Sequence, residues 1–261
     1  MTAYEKLKTA RGGKRPTGAA YVNELFHDRL ELHGDRRFGD DAAIVGGIGW
    51  LDGIPVTYIA IDRGTDIQSR MAKSFGCPKP EGYRKGIRLM KQAEKFGRPV
   101  ICFVDTQGAF CGADAEERGQ GEAIAESILT MMNLRVPVIS VVIGEGGSGG
   151  ALALASANRV YMLENAVYSV ISPEGCASIL WKDAGRVEEA AEVLHITADD
   201  MKHYGVAEEI IREEFGDFPA MCASLGVRLR EDLENLAGLS PDQLSQSRYE
   251  RFRKFSIFRE A

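Results

Sequence analysis

The stretch Val136–Leu154 constrains this chain more than any other. It begins as a run, Val138–Ile143, that is β-branched except at Ser140, and passes through five glycines in seven residues, Gly144–Gly150. It leaves through the small helix formers Ala151–Ala155. That order predicts a buried strand, a glycine loop and a helix. Glycines without Cβ let another group approach the backbone closely. The first N–H groups of a helix have no intrahelical partner and point out of its N-terminus. Together they make a receptor for an anion or a polarised carbonyl oxygen.

A second stretch repeats the plan. Val100–Val104 reads as a strand ending at Asp105, followed by the loop Thr106–Gly112 and a helix over Glu116–Met132. Strands then alternate with helices in the units 100–133, 138–157 and 159–181, which predicts an α/β chain of repeated crossovers. Ligands in such folds collect at the loops that follow the strands. Upstream, Ala43–Trp50 and Ile54–Ile61 flank an Asp52-Gly53 hairpin signal. Gly46, Gly47 and Gly49 in the first of these runs indicate a bulge or close packing. Ala19–Leu32 has near-helical apolar spacing, and Met71–Phe75 reads as a short helix. Pro80 suits the first position of a helix whose apolar face covers Tyr83–Phe96. Its basic residues Arg84, Lys85, Arg88, Lys91 and Lys95 read as a solvated face. Downstream, Arg159–Leu163, Val167–Ile171 and Glu208–Ile211 read as short strands. Helices are expected from Ser172 to Trp181, over 186–193, and over 198–203 with Thr197 as cap. From Glu213 on the chain is charged and helical, and its basic, aromatic end, Arg248–Arg259, reads as a docking surface.

At 261 residues the chain can bury one full core with an appendage. A net charge of −6 argues against general nucleic-acid binding. No apolar run approaches the roughly 20 residues of a membrane helix. Met1–Lys14 shows no apolar core of a secretory signal. Five scattered cysteines without a Cys-x-x-Cys pattern indicate reduced thiols and no zinc site built from this chain.

Named motifs narrow the chemistry. The phosphate-binding Gly-x4-Gly-Lys-Ser/Thr pattern and the metalloprotease pattern His-Glu-x-x-His are absent. Gly144–Gly149 matches Gly-x-Gly-x-x-Gly, as any dense glycine run does. Gly146–Gly150 matches the nucleophile elbow Gly-x-Ser-x-Gly around Ser148. A serine nucleophile needs a histidine, and His27, His33, His195 and His203 lie in no recognisable catalytic loop. Asp114, Glu116 and Glu117 read as complements to a helix dipole. What survives is a site of backbone N–H groups without an evident side-chain acid or base, suited to an enolate or an oxyanion.

Longer motifs then carry a resemblance. Glu31–Arg36, Pro78–Lys85, Ala115–Gln120, Gly144–Ala153 and Tyr168–Asp183, in this order, resemble the bacterial acetyl-CoA carboxylase carboxyltransferase α-subunit family. The resemblance implies a crotonase-type α/β fold of repeated ββα units with helical extensions at the termini. The parts would be an N-terminal arm at 1–17, the carboxyltransferase domain at 18–215 and a C-terminal helical extension at 216–261. It implies transfer of a carboxyl group from carboxybiotin, held on biotin carboxyl carrier protein, to acetyl-CoA, giving malonyl-CoA, the first step of fatty acid synthesis. Implied partners are a zinc-ribbon β subunit, the carrier protein and biotin carboxylase, in a cytoplasmic α2β2 assembly, with no metal held by this chain. Gly149 and Gly150 would give catalytic N–H groups to the biotin ureido oxygen. Gly108 and Ala109 would line the opposing loop, and Gly146, Gly147 and Ala151 would complete the cofactor-binding set. The biotin nitrogen would then take the methyl proton, so that no protein base is required.

One departure bears on the substrate. The family loop usually reads Asp-Thr-Pro-Gly-Ala-Tyr-Pro-Gly. Here Gln107 and Cys111 replace both prolines, and Phe110 lacks the tyrosine hydroxyl. Without the fixed φ of proline the loop is less pre-organised. Alternatives are therefore a carboxyltransferase subunit for another acyl-CoA, a crotonase-type hydratase or isomerase, and a scaffold that only docks the carrier.

Overall fold

The computed structural model describes residues 1–256. Among these, one mixed sheet holds β1 (His27–Glu31), β2 (Ile44–Leu51), β3 (Ile54–Ile61), β4 (Val100–Thr106), β5 (Val138–Gly147), β6 (Arg159–Leu163), β7 (Val167–Ser169) and β8 (Glu209–Ile211). Its order is β1-β2-β3-β4-β5-β6-β8, with β7 paired to the far end of β5. β1, β2 and β3 are antiparallel neighbours. From β3 onward every pairing is parallel. Asp52 and Gly53 both have positive φ, 46° and 87°, as a two-residue hairpin turn between twisted strands requires.

The helices are α1 (Ala3–Ala10), α2 (Gly18–Leu25), α3 (Ile67–Ala72), α4 (Pro80–Lys95), α5 (Ala113–Glu117) and α6 (Gln120–Asn133). After β5 come α7 (Ser148–Ala155), α8 (Pro173–Trp181), α9 (Val187–Val193), α10 (Ala198–His203), α11 (Phe218–Ala237) and α12 (Pro241–Arg253). β4 is buried at every position, so helices must cover both of its faces. One group, α4, α6 and α7, packs together and onto β2–β5; α2 packs on β2–β4 and on α11. Among the described residues, no helix is long and apolar enough to cross a membrane.

The structure departs from the sequence expectations in several places. The helix expected over Ala19–Leu32 stops at Leu25, and His27–Glu31 forms an edge strand exposed along its length. Gly47 explains the strand: a Cβ there would lie 2.1 Å from the Leu30 carbonyl oxygen, so the glycine admits β1 alongside β2. The short helix expected at Met71–Phe75 begins earlier, at Ile67, because Asp66 caps it with a reciprocal bond to Ser69. The single helix over Glu116–Met132 is two, broken at Gly119 with φ 83°.

The face of α4 expected to be solvated is partly interior. Lys85 is fully buried and gives its ammonium to Asp40 and to the Asp41 carbonyl. Arg84 is buried and bonds Asp35 and Glu81. Periodicity could not show this, because Asp35 and Asp40, which draw the two cations inward, arrive from the 34–41 loop. Similarly, Arg248 is wholly buried and donates to Asn158 and the Met132 and Val136 carbonyls, while Arg251 bonds Glu208. The rest of the expected docking surface, from position 257, lies outside the described residues.

Candidate active site

The glycine stretch is mostly strand. β5 runs through Gly144–Gly147, which pairs with β7 on one side and, past an irregularity in the ladder, meets Thr106 of β4 on the other. The expected loop shrinks to one residue, Ser148, with φ 51°, and α7 starts there. The glycines are needed for close approach. A Cβ on Gly147 would lie 2.1 Å from the Gln107 carbonyl oxygen, and one on Gly150 would lie 2.6 Å from the Ala109 nitrogen. The β5–α7 corner and the 107–109 loop therefore touch backbone to backbone.

Between them lies a cleft of about 290 Å³. Gly108 and Ala109 line it from one side, Gly146, Gly147 and Ser148 from the other, and Ser172 and Pro173 at the start of α8 close a third. Gly149 instead faces a neighbouring apolar groove of about 460 Å³ that shares Ser148 and runs past Leu152, Val170 and Phe252. Gly150 and Ala151 are buried behind the corner, and the Gly150 carbonyl accepts the Tyr83 hydroxyl. Of the seven glycine and alanine positions expected in the site, four line this cleft and three form the first turn of α7 beside it.

The N–H groups are not equivalent. The Gly108 N–H is held by the Thr106 hydroxyl, which in turn donates to the Gly108 carbonyl. Gly146 and Gly147 are tied into the β7 pairing. The Ala109 N–H has no acceptor among the described residues, and the first turn of α7 has no side-chain cap because Gly147 stands at the cap position. Unpartnered donors thus come from Ala109 and from the positive end of α7, a geometry suited to a polarised oxygen.

Charged groups stand behind these backbones. Asp105 is buried at the end of β4 and accepts the Glu145 N–H at 2.9 Å and Arg63 at 3.0 Å. Burial pushes its carboxyl upward, against the pull of Arg63. Arg63 also bonds Glu145, Glu145 bonds Arg11, and Arg11 bonds Glu174 on α8. Burial opposes the charge on Glu174, but the Arg11 bond wins and holds its pKa below the ordinary value. The segment 1–17, read from sequence as an arm, is thereby joined to the site: Leu7 and Arg11 line the cleft. Sequence reading missed Arg11, Arg63 and Glu145 because their pairing is long-range. The local signal nearest to them is Arg63-Gly64, which follows the end of the apolar run Ile54–Ile61.

No histidine lines the cleft or the groove, so Ser148 has no histidine base within either. Its match to a nucleophile elbow is a match of backbone shape, positive φ at a strand-to-helix corner. Among the described residues no group of three or more His, Cys, Asp or Glu side chains could hold a metal.

The family described as acetyl co-enzyme A carboxylase carboxyltransferase-like matches residues 1–256. The acetyl-coenzyme A carboxylase carboxyl transferase subunit alpha of Ruminiclostridium cellulolyticum is 54% identical over 98% of this chain and 99% of its own. This chain belongs to the acetyl-CoA carboxylase carboxyltransferase family. A family member from Clostridium tetani, named as subunits beta/alpha, is 51% identical over 97% of this chain and 45% of its own length. Among solved structures, transcarboxylase 12S aligns with a TM-score of 0.72 at 20% identity, over 88% of this chain and 44% of that one. That likeness establishes the fold: this carboxyltransferase chain has the crotonase-type α/β architecture expected from the resemblance.

Proposed function

We propose that this chain is the α subunit of an acetyl-CoA carboxylase carboxyltransferase, moving a carboxyl group from carboxybiotin to acetyl-CoA to give malonyl-CoA. The observation that carries the reading is a cleft with backbone donors on facing walls and no histidine, its one lining carboxylate, Glu145, being held by Arg11 and Arg63, in a chain matched over 98% of its length by a relative of that name. The donor set fits a ureido group: the Ala109 N–H and the uncapped first turn of α7 can hold a neutral carbonyl oxygen on which negative charge develops. Bound carboxybiotin supplies the carboxyl group itself. The residues of this chain orient it: Gly149 and Gly150 through the N–H groups of the first turn of α7, with Gly108, Ala109, Gly146 and Gly147 shaping the walls and Ala151 backing that turn. The ion pairs of Arg63 and Arg11 keep the two walls in register.

The reading includes a β subunit, the biotin carrier protein and biotin carboxylase as partners, in the cytoplasm. The Clostridium tetani relative, whose name joins beta and alpha, supports the first. The reading also assigns the chemistry to residues 18–215, with 1–17 as an arm folded against the cleft and 216–261 as a C-terminal extension. The test is co-purification with the β subunit, followed by assay with carboxylated carrier and acetyl-CoA. Malonyl-CoA should form only with both subunits present. An assembled complex that makes none would sink the proposal, and turnover of an enoyl-CoA by the isolated chain would favour a hydratase. The loop change at Gln107, Phe110 and Cys111 favours trying other acyl-CoA substrates in the same assay.

A further inference from the structure

We propose that Cys77 and Cys111 are a thiol pair that a small disulfide such as glutathione disulfide closes into a reversible bridge across the cleft. The consequence for activity rests on the carboxyltransferase reading above. Both cysteines line the cleft beside Gly108 and Ala109. Cys111 is exposed and Cys77 half-buried, whereas Cys102, Cys176 and Cys222 are buried. The backbones that carry the pair are joined: the Phe110 N–H donates to the Pro78 carbonyl at 3.0 Å. Gln120 clamps the same two residues, donating to the Pro78 carbonyl at 2.8 Å and the Phe110 carbonyl at 3.2 Å. Cys77 and Cys111 each adjoin one member of that bonded pair, so the two thiols are carried on segments held side by side, as a disulfide requires. Burial raises the Cys77 thiol pKa, and Cys111 adds to the rise, as expected of neighbouring thiols.

The exposed partner reacts first. The Cys111 thiolate attacks one sulfur of the small disulfide; an S–S bond breaks, a mixed disulfide forms and one small thiol leaves. The Cys77 thiolate then attacks the Cys111 sulfur and expels the second small thiol. Two protein thiols are oxidised by two electrons, one disulfide is reduced to two thiols, and the protons of Cys77 and Cys111 end on the departing thiols. The bridge fastens the 107–112 loop to the segment before α4 and narrows the cleft that both thiols line. Neither proline of the usual family loop is present to resist that movement.

The assay takes the complex of this chain with its β subunit, treats it with glutathione disulfide, and maps the peptides by mass spectrometry. A linked peptide joining Cys77 to Cys111 is expected. Carboxyl transfer should fall by about a hundredfold, the scale on which an ångström of misplacement costs rate, and return with dithiothreitol. Cys111→Ser and Cys77→Ser, each measured against its own untreated activity, should lose this response. Glutathione on Cys111 with no linked peptide would overturn the pair, and a complete bridge that leaves carboxyl transfer unchanged would overturn the control. Because the bridge is read by mass alone, a bridge in a complex inactive even when reduced would count against the carboxyltransferase reading and leave the thiol pair standing.

Discussion

Gly150→Ala tests whether the site is two backbones in contact. The added Cβ would sit 2.6 Å from the Ala109 nitrogen, 2.8 Å from the Tyr83 hydroxyl and 2.9 Å from the Gly108 carbonyl carbon. Ordinary contact begins near 3.4 Å, so the 108–109 loop must retreat by about 0.8 Å (3.4 less 2.6). Forcing a methyl into such a space costs about 1–3 kcal/mol, and exchanging glycine for alanine inside a helix returns about 1 kcal/mol. Stability should therefore change by no more than about 2 kcal/mol. Activity should change far more, because the Ala109 N–H moves off its target: about a hundredfold in kcat, as for misplaced donors elsewhere. Gly149→Ala is the matched control. Its Cβ meets only the Ile124 side chain, at 3.4 Å, so the loop stays and the helix gains propensity. Chemical denaturation and carboxyl-transfer kinetics on the two variants decide the matter. If Gly150→Ala is as active as Gly149→Ala, the contact of the two walls has no part in catalysis.

Arg63→Met should destabilise the fold by about 3–5 kcal/mol in urea unfolding, because Asp105 and Glu145 lose a buried counter-charge; adding Asp105→Asn should recover part of it. Asp35 titrates at about 2 instead of 3.8: burial opposes its charge, but the Phe38 and Arg37 N–H groups and Arg84 outweigh burial. Its contribution to stability is complete above pH 3.8 and lost as pH falls towards 2. Asp35→Asn should flatten that limb of an acid-unfolding curve. Ser148→Ala should keep carboxyl transfer within about twofold, given a negligible truncation effect, and a dead variant would revive the serine nucleophile. Ser148→Gly should gain about 1 kcal/mol in thermal unfolding by relieving the positive φ.

How much of this was legible depended on range. The strands β3, β4 and β5, the Asp52-Gly53 turn and the Pro80 helix start are written in residues a few positions apart. The pairing of the 108–109 and 146–150 stretches could be anticipated from their shared plan. What could not be read was contact between distant segments. The glycines of 144–147 looked like a loop because the neighbours that demand them, Asp105, Gln107 and Tyr168, come from elsewhere. Lys85 looked solvated because its acceptors lie about 45 positions upstream, where no helix period reaches. His27–Glu31 looked helical because an edge strand with no buried side chain leaves no alternating pattern.

These long-range partners also explain how a cleft walled by glycine-rich backbone holds its shape. A backbone donor is useful only where its position is fixed, and glycine-rich segments fix nothing by themselves. Here the fixing is done from behind. The Asp105 carboxylate occupies the space where a Gly144 side chain would stand, 2.2 Å from that Cβ, and accepts the next N–H. That single carboxylate locks the end of β4 to β5 immediately before the two corners that face each other. Arg63 and Arg11 carry the constraint on to Glu145 and then to Glu174 in the first turn of α8. The glycines therefore serve for closeness and the buried charges for rigidity. A substitution that keeps every glycine but breaks the Asp105–Arg63 pair should cost activity through displaced walls, with no change in any group that touches substrate.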